Sequence, residues 1–134
     1  MSVTIWHNPA CGTSRNVLAM IRNSGEEPRI REYLRDPPDE AALRDALARL
    51  GLPARALLRR KGTPFEALEL DDPALDEAAL IAAMLAHPIL IERPVVFTPR
   101  GTRLCRPSEV VLEILERPQQ APFVKEDGTP VGGG

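Results

Sequence analysis

The sequence predicts a layered α/β fold, and three observations carry that prediction. Its 134 residues are one domain's worth of chain, enough to bury roughly two-thirds of the unfolded surface around a core. Short apolar, partly β-branched runs alternate with stretches of helical periodicity. Their order along the chain is β-α-β, then a helical middle, then β-β-α, so a parallel half precedes an antiparallel one.

Val3–Trp6 reads as the first strand. The polar turn His7-Asn8-Pro9-Ala10-Cys11-Gly12-Thr13-Ser14 leads into a helix over Ser14–Asn23, with Val17, Leu18 and Ile21 on one side. Gly25 ends that helix as its C′ residue. Pro28–Leu34 is expected as a second strand. Asp36 before Pro37 has the form of a helix start, and Leu43, Leu47 and Leu50 line the helix that follows. A short helix is expected over Arg55–Arg60. Asp72-Pro73 repeats the start signal for a helix lined by Leu80, Ile81, Met84 and Leu85, stopping at His87-Pro88. Arg93–Phe97 and Thr102–Arg106 are read as strands joined by a turn at Thr98–Gly101. Pro107-Ser108-Glu109 opens a last helix, with Val110, Val111, Ile114 and Leu115 on its apolar face.

This order is the thioredoxin-like arrangement, with a helical insertion between its βαβ and ββα halves. The expected organisation is one domain over 1–117, the insertion occupying about 36–88. The proline-rich, glycine-ended stretch 118–134 is expected to be a loose tail.

Composition narrows the function. The chain is 43 % hydrophobic and 27 % charged with a net charge of −2, so no nucleic-acid or membrane partner is expected. The longest strongly apolar stretch, Ala78–Leu85, is far short of the ~20 residues that span a bilayer. With neither a basic leader nor a long apolar segment at its start, the protein is expected to be cytoplasmic. Two cysteines, Cys11 and Cys105, are too few for a disulfide framework or a four-ligand zinc site. Fifteen arginines stand against Lys61 and Lys125 alone, a bias that a GC-rich genome produces by itself.

Cys11 follows a strand and stands at, or just before, the first turn of a helix. Unpaired N–H groups and the helix dipole there favour the thiolate, the nucleophilic form. His7, four residues upstream, could add an imidazolium to that effect, and Gly12, Thr13 and Ser14 supply backbone donors for an anion. The alternative is a small buried hydrophobe beside a turn. Spacing removes two other chemistries: the residue three after Cys11 is Ser14, so no Cys-x-x-Cys exists, and the sixth is Val17, so no phosphatase-type Cys-x₅-Arg exists. Arg15 would lie on the helix and not close such a loop. What stays is a single thiol beside an anion site, needing an external reductant or acceptor. Arg93 precedes Pro94 at a strand head, where a thioredoxin-like fold sets a cis-proline against its cysteine, and Arg106 ends the next strand. Pattern alone does not select these two, or Arg59, from fifteen.

Five runs carry a resemblance: Ile5-Trp6-His7-Asn8-Pro9-Ala10-Cys11-Gly12-Thr13-Ser14-Arg15-Asn16, Met20–Gly25, Arg55–Arg59, His87–Pro94 and Gly101–Leu112. Together they resemble the glutathione- and glutaredoxin-dependent arsenate reductases over about residues 3–128. The resemblance implies a thioredoxin-like fold, Cys11 as catalytic nucleophile, and His7 tuning it. It also implies oxyanion binding by Arg59, Arg93 and Arg106. The implied reaction is reduction of arsenate to arsenite through a Cys11 thiolate–arsenate adduct, for arsenic detoxification. Glutathione serves as co-substrate and glutaredoxin as electron donor, with no metal and no tightly bound cofactor. Cys105, inside a strand, is expected to pack. The rival expectations are a non-enzymatic transcriptional regulator of the same fold family and a glutathione-dependent thiol reductase of other substrate.

Overall fold

The structure, a computed structural model, describes residues 2–131. The chain forms two compact units: the residues up to Glu32 together with those from Arg93 onward, and Tyr33–Glu92. The second takes in the stretch 36–88 read as an insertion.

The first unit holds a four-stranded mixed sheet. Strands β1 (Thr4–His7), β2 (Arg29–Glu32), β3 (Val95–Thr98) and β4 (Gly101–Leu104) lie in the order β2-β1-β3-β4. β1 pairs with β2 in parallel, Ile5 opposite Ile30, and with β3 in antiparallel, Trp6 opposite Val95. β3 and β4 form the expected hairpin. Central β1 is apolar and buried, whereas edge strand β2 is Arg-Ile-Arg-Glu and largely exposed, and its charges discourage another chain from pairing there. Trp6 and Phe97, diagonal neighbours across β1 and β3, hold their rings 5.2 Å apart and tilted.

Helix α1 (Gly12–Asn23) connects β1 to β2 and buries Val17, Met20 and Ile21. They join Val3, Ile5, Val96, Cys105, Val111, Ile114 and Leu115 in one core. Gly25 has φ +93°, the left-handed conformation anticipated for a C′ residue, and a Cβ there would stand 2.6 Å from Gln120 Nε2.

The last helix differs from expectation. Ser108–Glu113 is a 3₁₀ helix, and no helix follows it among the described residues. Thr98 Oγ1 donates to the carbonyl of Ile114 at 2.7 Å and Arg100 Nη1 to that of Leu115 at 3.1 Å. Side chains of the β3–β4 turn thus take carbonyls that a longer α-helix would have used itself. Residues 118–131, read as a loose tail, are tied to α1. Gln119 Nε2 donates to Met20 O, Gln120 N to Asn23 O, and Asn23 Nδ2 to Ala121 O, at 2.8–2.9 Å. Prolines disfavour α-helix in this stretch but leave its other groups able to bond the helix end. Residues 132–134 lie outside the described residues.

In the second unit, α2 (Glu40–Leu50) and α4 (Glu77–Ala86) begin three and four residues later than the Asp-Pro signals suggest. The N-caps are Asp39 and Asp76, each accepting 2.8 Å from the N–H three residues on. Asp36 and Pro37 each precede a proline, which drives both out of the helical region. Asp72 instead accepts from Ala74 N in a local turn. α4 packs against α2, against α3 (Ala54–Leu57) and against the 3₁₀ turn Pro88–Leu90. Tyr33 is fully buried and its hydroxyl donates to Ile91 O at 2.9 Å.

Candidate active site

Cys11 is the N-cap of α1, in extended conformation with φ −100° and ψ 122°. The turn that delivers it is built locally. Asn8 O accepts Cys11 N–H at 3.0 Å, and Asn8 Oδ1 accepts Ala10 N–H at 2.9 Å. Asn8 N–H in turn donates to Ser14 Oγ at 3.1 Å, so an Asx turn and the buried first turn of the helix hold each other. Asn8 is therefore part of the site, and the Asn-Pro pair at the strand's end is the signal that marks it.

Two arginines converge on the sulfur. Arg106 Nη1 lies 3.7 Å from Cys11 Sγ and donates to Arg93 O at 2.9 Å. Arg93 is buried, and the Arg93-Pro94 and Arg106-Pro107 peptides are both cis. Burial pushes the Cys11 thiol up, but the Ser14 N–H and the guanidinium groups of Arg106 and Arg93 outweigh it, leaving the pKa below its ordinary value. The site thus favours a thiolate and surrounds it with fixed cations and N–H donors, an arrangement able to hold an oxyanion against the nucleophile.

His7 has a different position from the one expected. Its ring is buried, Nδ1 is 2.6 Å from Ser14 Oγ, and burial lowers its pKa against the opposing pull of Glu32. Burial thus works against the imidazolium anticipated beside the sulfur, and the ring is bonded to Ser14. Gly12 and Thr13 open α1, and Ser14 is fully buried. Arg59 belongs to the second unit. There Arg59 N–H bonds Leu90 O across a bridge between Leu58 and Ile91, and its Nη1 pairs with Glu92 Oε1 at 2.9 Å. Cys105 is fully buried in the core, where burial pushes its thiol up to about 12, in keeping with a packing role.

Sequence reasoning placed Arg15 on the helix but missed Glu126 and the pair the two form. Arg15 Nη1 donates to Pro9 O at 2.8 Å, while Nε and Nη2 meet both carboxylate oxygens of Glu126. No motif joins residues 111 positions apart.

A mixed sheet ordered β2-β1-β3-β4, with a cysteine capping the helix that follows β1, defines a thioredoxin-like protein. The profile of the ArsC family matches residues 6–114, and the chain belongs to that family. It is 60 % identical over 131 residues to an arsenate reductase of Rhizobium meliloti, covering 98 % of this chain and 94 % of the relative. To an arsenate reductase of Escherichia coli K12 it is 57 % identical, covering 97 % and 92 %. An arsenate reductase of known structure from Vibrio cholerae has a TM-score of 0.82 at 45 % identity, covering 86 % of this chain and 98 % of that one.

Proposed function

We propose that the protein reduces arsenate to arsenite, with Cys11 as nucleophile and with glutathione and glutaredoxin as electron donors. The observation that carries this reading is the Cys11 sulfur at a helix N-terminus with Arg106 3.7 Å away. Relatives named arsenate reductase at 57–60 % identity support the substrate. The thiolate attacks arsenic(V), an As–S bond forms and hydroxide leaves. Arg93 and Arg106, with Arg59 carried over from the family resemblance, bind the oxyanion and offset its repulsion from the thiolate. Glutathione displaces a second hydroxide to give a Cys11–arsenic–glutathione adduct. A glutaredoxin thiolate then attacks the glutathione sulfur. The As–S bond to glutathione breaks and leaves its electron pair on arsenic, which becomes arsenic(III), while the two thiols are oxidised to a mixed disulfide. Water displaces Cys11 and arsenite departs.

An external thiol is required because the position three after Cys11 is Ser14 and the other cysteine, Cys105, is buried in the core. The test is NADPH oxidation coupled through glutathione reductase, glutathione and glutaredoxin, with phosphate as control anion. Turnover that needs arsenate, glutaredoxin and Cys11 together is expected. Turnover on a small disulfide without arsenate stimulation would replace this reading with a general thiol reductase. Absence of turnover with several glutaredoxins, together with retention of RNA polymerase, would replace it with a regulator.

A further inference from the structure

The segment from Phe123 to Val131 is more than a closing stretch of chain. It is a small hairpin: Val124 bridges Pro130, Lys125 N–H bonds Thr129 O, and Val131 N–H bonds Phe123 O. Gly128 turns it with φ +89°. Phe123 and Val131 at its base pack against the core of the first unit, and Lys125 pairs with Glu109 of the 3₁₀ helix. Glu126 stands at the tip. Its N–H donates to Asn16 Oδ1 at 3.0 Å and its carboxylate takes Arg15 through two parallel bonds of 2.8 and 2.9 Å.

That fork fixes the plane of the Arg15 guanidinium. Its remaining nitrogen is then aimed at the Pro9 carbonyl, 2.8 Å away. Pro9 lies in the turn whose next bond is Cys11 N–H to Asn8 O. The carboxylate would also stand 3.7 Å from a Cβ at Gly12, the residue after the nucleophile. A pair with side chains 43 % and 49 % exposed contributes little to global stability. What it can do is fix the local geometry of the turn it touches.

We infer that Glu126 is a positioning residue for the thiol site, holding Arg15 so that its guanidinium clamps the Asn8–Gly12 turn and keeps Cys11 Sγ against the Ser14 N–H and Arg106. This rests on Cys11 as the nucleophile proposed above. Loss of the clamp loosens the bonds that favour the thiolate, and the sulfur holds its proton to higher pH. Simple electrostatics has the opposite sign, because deleting a nearby carboxylate favours an anion.

The experiment is the pH profile of iodoacetamide alkylation at Cys11, read by mass on the full-length protein for wild type, Glu126→Gln, Arg15→Lys and the double variant. Both single variants are expected to move the midpoint upward by about half a unit or more, about a threefold lower rate below it. Rates well above both midpoints should agree, and the double variant should match the singles. A midpoint that is unchanged or lowered, or shifts that add in the double variant, would overturn the assignment. Alkylation involves no arsenate, so failure of the turnover assay and failure of the clamp are separate results.

Discussion

Arg106 joins the nucleophile to the strand beside it: one nitrogen, Nη1, stands 3.7 Å from Cys11 Sγ and donates to Arg93 O at 2.9 Å. The guanidinium is thereby anchored on the main chain of the neighbouring arginine, and a cation oriented in advance costs little reorganisation when charge develops.

Arg106→Ala is expected to raise the alkylation midpoint of Cys11 and to lower kcat/KM for arsenate by about 100-fold. Arg93→Ala should act in the same direction on both. Arg59→Ala is expected to weaken arsenate turnover while leaving the alkylation midpoint in place, since the groups favouring the Cys11 thiolate are Ser14, Arg106 and Arg93. Turnover unchanged in all three variants would remove the arginines from the mechanism.

The two thiols should separate cleanly. Cys105 is buried in the core with its thiol pushed up to about 12, so native protein should take up one equivalent of iodoacetamide near neutral pH, at Cys11. Cys11→Ser is expected to abolish turnover, and Cys105→Ser to keep most of it. Equal loss in both would contradict this division.

His7 gives stability a pH dependence of defined sign. Its pKa in the folded protein is lowered from 6.5 by burial, so the unfolded chain binds the proton more readily. The contribution is complete above 6.5 and is lost as pH falls from there through the lower folded value. Urea unfolding at about pH 7.5 and about pH 5.5 should show a larger loss for wild type than for His7→Gln. Identical losses would place the pH dependence elsewhere.

Gly25→Ala should destabilise by about 1–2 kcal/mol from the left-handed backbone alone. The φ of +93° and the 2.6 Å approach to Gln120 Nε2 both oppose a side chain. Gly25→Asn, better tolerated at positive φ, should recover part of the loss in thermal unfolding.

Much of the fold was legible because periodicity, caps and turns are local. The strand–turn–cysteine–helix run placed Cys11, and Gly25 announced the end of α1. The Asp-Pro signals misplaced two helix starts because a capping carboxylate is recognised by its bond to a later N–H, which Asp39 and Asp76 make. The last helix was misjudged because Thr98 and Arg100, distant in sequence, take its carbonyls. Within the site, Cys11 could be argued from position, whereas Arg93 and Arg106 were singled out from fifteen arginines only by the family resemblance. The lowered pKa of His7 could not be read from sequence, since it depends on burial that only tertiary packing creates. The Arg15–Glu126 pair left no trace in any local pattern.

The order in which the site is completed follows from its layout. Cys11 leaves the ribosome early, whereas Arg93, Arg106 and Glu126 come from the last third of the chain. A nascent polypeptide that has made only β1, α1 and β2 carries Cys11 without the guanidinium groups of Arg93 and Arg106, two of the groups that lower its pKa. The arrival of β3, β4 and the segment beyond them adds these two guanidinium groups to the Ser14 N–H already in place. The thiol of the partial chain therefore has less thiolate character than that of the complete site, and thiolate character is what opens a cysteine to oxidation.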